Sequence, residues 1–222
     1  MEHSAFIISG TDTDSGKTLA AACLLLGTGG RYWKPLQSGR DSKSGMTDRE
    51  WVQDVTQMPS AHFLPEMYQF EQPLSPHRAA ELDHIEIDPD KIIAGYQNNF
   101  SPLASRPSPL FIEGAGGLMV PVTRDLLQID LFVLMQNISP APIILVARTG
   151  LGTINHTLLS IAAIRERGLP LHGVLFSGLD NADNIQTIAE FSGVRVLGHI
   201  PFIEQPNAEN LLHIFTQHIG NL

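Results

Sequence analysis

Ten residues near the start of the chain, Ser9-Gly10-Thr11-Asp12-Thr13-Asp14-Ser15-Gly16-Lys17-Thr18, constrain the fold more than any other stretch. The apolar run Ala5-Phe6-Ile7-Ile8 comes directly before them, and Leu19-Ala20-Ala21-Ala22-Cys23-Leu24-Leu25-Leu26 directly after. The order reads as strand, glycine-bounded loop, helix. Backbone N–H groups of such a loop, followed by a helix N-terminus, make a concave set of donors with partial positive charge, suited to a polyphosphate. In that arrangement Lys17 reaches the β- and γ-phosphates, and the Thr18 hydroxyl sits on Mg2+.

The stretch is a variant of the P-loop. Five residues separate Gly10 from Gly16 where the usual pattern has four. Asp12 and Asp14 are unusual beside a triphosphate, because two unit charges ~4 Å apart repel by ~4 kcal/mol at a surface-like dielectric. They are expected to point away from it. One can serve the metal shell, or receive a cationic group of a second substrate beside the γ-phosphate; alternatively both cap the loop through Asx-type hydrogen bonds.

A chain of 222 residues with 43% hydrophobic content reads as one domain, 1–222, able to bury a sizeable core. The formal charge of −9, from 23 acidic and 14 basic residues, argues against a broad nucleic-acid or anionic-membrane surface, so the expected partner is small. A strand begins within a few residues of Met1 without a basic leader, and no apolar run approaches the ~18 residues of a membrane span. A cytoplasmic protein is expected. The single cysteine, Cys23, sits in the apolar helix and reads as a packed small hydrophobe.

Downstream, Gly27-Thr28-Gly29-Gly30 stops the first helix, and Arg31-Tyr32-Trp33-Lys34-Pro35 reads as a short second strand. Lys34 is either a solvated strand end or, because Pro35 breaks the strand there, a cation at the mouth of a site. Leu36 to Arg40 reads as a loop with donors, and Thr47 or Asp48 caps a helix through Val55. Asp48 is then an N-cap or a second acid for the metal. Pro59 to Pro89 reads as a shaped loop, with Pro76 opening a short helix and Pro73 to Glu81 forming a substrate wall. Asp88-Pro89-Asp90 opens a further helix to about Phe100.

Pro109-Leu110-Phe111-Ile112-Glu113-Gly114-Ala115-Gly116-Gly117 reads as a buried strand ending in an acid and then glycines. A carboxylate buried there without a partner is costly, so Glu113 is assigned to Mg2+, directly or through water. A helix from Leu126 to Met135 and a strand from Pro142 to Ala147 follow. Arg148 to Leu159 is a glycine turn into a long helix, whose start is either an anion site or an ordinary strand-to-helix loop. After the strand His172 to Gly178, Asn181 offers the donor and acceptor that read a purine edge, or simply forms a turn. A helix through Phe191, a strand over Val194 to Pro201 and a helix from Asn207 complete an α/β alternation. The fold expected is a mostly parallel sheet flanked by helices on both faces, P-loop NTPase in type, with the ligand at the carboxyl ends of the strands.

Five ordered motifs resemble those of dethiobiotin synthetase. They are Gly-Thr-Asp-Thr-Asp-Ser-Gly-Lys-Thr at 10–18, Tyr-Trp-Lys-Pro-Leu-Gln-Ser-Gly at 32–39, Pro-Leu-Ser-Pro-His at 73–77, Glu-Gly-Ala-Gly-Gly-Leu-Met-Val-Pro at 113–121 and Arg-Thr-Gly-Leu-Gly-Thr-Ile-Asn-His at 148–156. The family shares the five-residue loop spacing; Ser15 departs from its common Val, and the stretch after Gly178 matches least well. The resemblance implies an ATP- and Mg2+-dependent enzyme of biotin biosynthesis that closes the ureido ring of dethiobiotin from 7,8-diaminopelargonic acid and CO2. It implies catalytic roles for Lys17, Lys34 and Thr13, nucleotide contacts at Gly10, Asp14, Ser15, Gly16, Lys17, Thr18, Glu113 and Asn181, and a metal held by Thr18, Asp48 and Glu113. Substrate contacts are implied at Thr13, Lys34, Ser38, Gly150, Leu151, Gly152, Thr153 and Asn155. It also implies a homodimer, with the far carboxylate of the substrate near the interface.

Two other readings compete. ATPases of the same superfamily that partition DNA or position division sites carry a lysine early in the loop, where this chain has Thr11, Asp12 and Thr13. Glutamine-dependent amidases of corrin biosynthesis share the synthetase half but need a further domain with a nucleophilic cysteine, and Cys23 is wrongly placed for that.

Overall fold

The structure, a computed structural model, describes residues 4–100 and 108–219. Four strands supply the centre: β1 (Ala5–Gly10), β6 (Leu110–Gly117), β7 (Ile143–Arg148) and β8 (Leu171–Gly178). They are joined by β2 (Arg31–Trp33), β4 (Phe63–Leu64) and β9 (Val196–Pro201) into one seven-stranded sheet, order β4-β2-β6-β1-β7-β8-β9, with every pairing parallel.

Near-continuous apolar runs suit a sheet covered on both sides, and the period of two decides which residue goes where. Ala5, Ile7, Leu110, Ile112, Ile143, Leu145, Val174 and Phe176 face one core; Phe6, Ile8, Phe111, Ile144, Val146 and Leu175 face the other. The second core is completed by α1 (Lys17–Thr28), α2 (Asp48–Thr56) and α8 (Ala208–His218). The first is completed by α3 (Pro76–Leu82), α4 (Pro89–Phe100), α5 (Gln128–Ile138), α6 (Thr153–Glu166) and α7 (Ala182–Ser192). Helix α1 is sandwiched between the sheet and α8, and Cys23 is wholly buried there, its thiol pushed up to about 12 by burial.

Three local expectations are corrected. Leu36 to Ser38 is not a loop but β3 (Leu36–Ser38), which pairs with β5 (Tyr68–Phe70) in a small parallel sheet. Pro35 turns the chain out of the main sheet, and its carbonyl accepts from the N–H groups of Met67 and Tyr68, which sets the pairing. The Pro59 to Pro89 segment is accordingly not all loop: it holds β4 and β5 before α3. Glu113 does not end its strand. Between Glu113 and Gly117 β6 advances four positions while β1 advances two, from Ile8 to Gly10, so the glycine run bulges and then rejoins the ladder.

Candidate active site

Every parallel strand delivers its carboxyl end to the same edge, and the loops there enclose a cavity of about 770 Å3. The phosphate-type loop between β1 and α1 forms its floor. Gly16 takes a left-handed φ of 93°, and a Cβ there would lie 2.7 Å from Ser177 Oγ, so both conformation and approach to β8 demand glycine. Among the described residues no side chain caps the start of α1 and no acid stands in its first turn. Its first N–H groups are open to an anion. Lys17 Nζ donates to Asp12 O at 3.0 Å, closing the loop from within. Burial holds the Lys17 ammonium below its ordinary value, with Glu113 opposing and Lys34 adding to the shift.

The charged centre lies between β6, β2 and α2. Glu113 is wholly buried, and three donors converge on it: Thr18 Oγ1 and Lys34 Nζ each at 2.9 Å from Oε1, and the Tyr32 hydroxyl at 2.9 Å from Oε2. Lys34 Nζ also pairs with Asp48 Oδ2. Burial works to lower the Lys34 ammonium, but Glu113 and Asp48, through charge and hydrogen bonds, outweigh it and raise it above lysine's usual range. The Tyr32 phenol is pushed up, first by burial and then by the Glu113 charge.

Asp48 is free for this role because Thr47 caps α2. Thr47 Oγ1 accepts from Glu50 N at 3.2 Å while Glu50 Oε2 accepts from Thr47 N at 2.8 Å, a capping box. Gln37 Oε1 accepts from Asp48 N at 3.3 Å. Thr18, Asp48 and Glu113 therefore bring one hydroxyl and two carboxylates, hard oxygen donors of net negative charge, around a point already held by an ammonium. That donor set fits Mg2+.

The sequence model of a family described as an AAA domain matches residues 4–210. The ATP-dependent dethiobiotin synthetase of Agrobacterium fabrum is 44% identical over 216 residues, covering 97% of this chain and 94% of that protein. Its counterpart from Novosphingobium aromaticivorans is 41% identical over 213 residues, covering 96% and 95%. The chain belongs to the dethiobiotin synthetase family. Among solved structures, the MinC:MinD cell division protein complex of Aquifex aeolicus matches with a TM-score of 0.55 at 10% identity, covering 97% of this chain and 89% of that one. The septum site-determining protein MinD from Pyrococcus horikoshii matches with a TM-score of 0.50 at 15% identity, covering 94% and 86%. At those identities the likeness is of fold alone.

Against the expectations from a dethiobiotin synthetase sequence, the cavity gathers Thr13, Asp14, Gly16, Lys17, Thr18, Lys34, Ser38, Asp48 and Glu113. Asp14 takes a left-handed φ of 56°, tolerable for a short acid. Asp12 turns aside: Oδ1 accepts from Thr13 N at 2.7 Å and Oδ2 stands 3.6 Å from Arg148 Nη2. Ser15 is buried under the loop, and a Cβ on Gly10 would lie 2.2 Å from its Oγ, so these two shape the loop from beneath.

Other expected residues lie elsewhere. Gly150, Leu151, Gly152, Thr153 and Asn155 form the turn into α6, outside this cavity. Thr153 Oγ1 donates to Arg148 O and lies 3.3 Å from Thr157 Oγ1, so it faces its own helix, while Leu151 and Asn155 are exposed. Asn181 is the N-cap of α7, its Oδ1 occupied by the N–H of Asn184 at 3.2 Å. Three residues went unassigned in the sequence: Tyr32, Gln37 and Arg40. Arg40 lines the cavity and pairs with Glu50 at 2.8 Å. A signal for Tyr32 exists only once β2 is known to lie beside β6.

Proposed function

We propose that the protein closes the ureido ring of dethiobiotin from 7,8-diaminopelargonic acid, CO2 and ATP, releasing ADP and phosphate. The observation that carries this reading is Lys34, a buried ammonium flanked by two carboxylates and close enough to Lys17 for the two cations to repel. A nucleotide switch needs the phosphate loop and its own lysine. A second buried cation, in a cavity that extends past the loop to Ser38 and to Pro73, Leu74, Ser75 and Pro76, serves a second substrate beside the phosphates.

In this reading one substrate amine takes up CO2 as a carbamate, whose oxygen attacks the γ-phosphorus in line as ADP leaves. The second amine then attacks the carbonyl carbon of the mixed anhydride, phosphate departs, and the amine proton is released. Lys17 and Lys34 neutralise phosphate and carbamate oxygens, Thr13 and Ser38 orient the carbamate and diamine, and Asp14 stands beside them. Ser38 Oγ is buried with no hydrogen-bond partner among the described residues, as a group waiting on a ligand would be. Thr18, Asp48 and Glu113 would hold Mg2+, whose contribution when bound is to neutralise charge on the transferring phosphoryl group. Positioning and charge dominate, since the protein forms no covalent bond.

The proposal includes a homodimer in which the start of α6 meets the far carboxylate of the substrate across the interface. The exposed Met119, Leu151 and Leu159, apolar residues on α6 and near it, support such a contact. Asn155→Asp places a negative charge at that helix start, and the KM for the diamine is expected to rise; an unchanged KM removes the α6 assignment. We place the reaction in the cytoplasm, where ATP and bicarbonate are at hand; no helix among the described residues is long and apolar enough to cross a membrane.

The test is synthesis with 13C-labelled bicarbonate, ATP, Mg2+ and diaminopelargonic acid. Dethiobiotin carrying one label per ADP formed is the expected product, and ADP without labelled dethiobiotin rejects the reading.

A further inference from the structure

Glu113 lies between the sheet and α1 with no exposed surface, and the direction of its two oxygens is set by what surrounds them. Oε1 receives Thr18 and Lys34, the side on which Asp48 also stands. Oε2 receives the hydroxyl of Tyr32 at 2.9 Å, and both of these side chains are wholly buried. The sheet makes that contact possible. Tyr32 pairs with Phe111 across the β2–β6 ladder, and Glu113 is two residues further along the same face, within reach of a phenol but of few shorter side chains. The Tyr32 ring is held edge-on to Phe63 with centroids 6.3 Å apart.

A carboxylate turns easily about its last torsion. Here a neutral donor on one oxygen, opposite a cation and a hydroxyl on the other, leaves it one orientation. Without the phenol, Oε2 becomes a buried acceptor with no partner, and the carboxylate gains by rotating to share its remaining donors.

We propose that Tyr32 is the positioning residue of the metal site: its hydrogen bond to Oε2 fixes the plane of Glu113, so that Oε1 is presented with Thr18 and Asp48 to a divalent cation. The inference rests on the reading of Glu113 as a metal-side carboxylate. A neutral phenol suits the task, because it satisfies the far oxygen without adding a positive charge that would compete with the ion. Outer partners of this kind are worth about 10–100-fold in metal affinity.

The test uses the full chain without turnover. Binding of a non-hydrolysable, fluorescent ATP analogue is measured against Mg2+ concentration for wild type, Tyr32→Phe, Glu113→Gln and Tyr96→Phe. Tyr96 is the control, a second wholly buried tyrosine whose hydroxyl donates to Ser139 O at 3.0 Å, away from the cavity. The expected result is a Mg2+ requirement raised about 10–100-fold in Tyr32→Phe, raised in Glu113→Gln, and unmoved in Tyr96→Phe. A wild-type requirement in Tyr32→Phe with a raised one in Glu113→Gln overturns the role of Tyr32 and leaves the metal assignment standing. A wild-type requirement in both overturns the metal assignment and the inference with it. An equal rise in Tyr32→Phe and Tyr96→Phe shows general loosening of the fold and also overturns the inference.

Discussion

Lys34 sits between two carboxylates, Asp48 and Glu113. These two carboxylates hold it charged against its burial, and the same two carboxylates are tolerable side by side only because it is there. Lys34→Met is therefore expected to act on stability and on chemistry together. Leaving Glu113 buried without its cation costs about 3–5 kcal/mol, read as a lowered midpoint in urea. Loss of a preorganised charge contact lowers kcat by about 10²–10³-fold. A variant of wild-type stability and rate contradicts the assignment. At this scale the sequence carried much of the site. Glu113 was legible because a buried acid needs a partner, and Lys34 because a proline follows it at once. Tyr32 was not, because its function depends on β2 lying beside β6, and nothing within Arg31 to Pro35 states which strand is the neighbour.

Among the elements, β3 and the segment Pro73 to Pro76 that leads into α3 line the cavity beyond the phosphate loop. The wall is tied down from outside: Arg124, from the loop after β6, grips Glu81 of α3 in a bidentate pair at 2.6 and 2.7 Å, and Arg78 adds a third bond at 2.9 Å. Hydrogen bonds from Arg124, then Arg78, pull the Glu81 carboxyl from an ordinary 4.5 to about 2. A carboxyl depressed in the folded state stabilises above its ordinary value, and that stabilisation fades as pH falls through the folded one. The melting temperature of Glu81→Gln is thus expected to lie below wild type at pH 7, with the gap closing as pH falls from about 4.5 toward about 2; a gap independent of pH contradicts the clamp. Five strands of the main sheet, β1, β6, β7, β8 and β9, were legible because each is an apolar run followed by a helix. β4 and β5 were not: with two and three residues, they are too short to show a period, and they are flanked by prolines that read as loop. The bulge after Glu113 was hidden for a related reason, since a run of glycines has no side-chain pattern to follow.

For the whole molecule, parallel strands and the placement of every strand end on one edge follow from the α/β alternation, and that alone locates the cavity. Strand order was not legible, because β1 sits between β6 and β7, neighbours that lie about a hundred residues or more away in the chain. The central claim concerns coupling. A cavity that holds two cations and room beside the phosphates should turn over ATP only when a second substrate completes it. The most direct measurement is phosphate release from ATP with Mg2+ and bicarbonate, in the presence and absence of diaminopelargonic acid. The account predicts release that depends on the diamine and matches the dethiobiotin formed. Hydrolysis at the same rate without the diamine contradicts it.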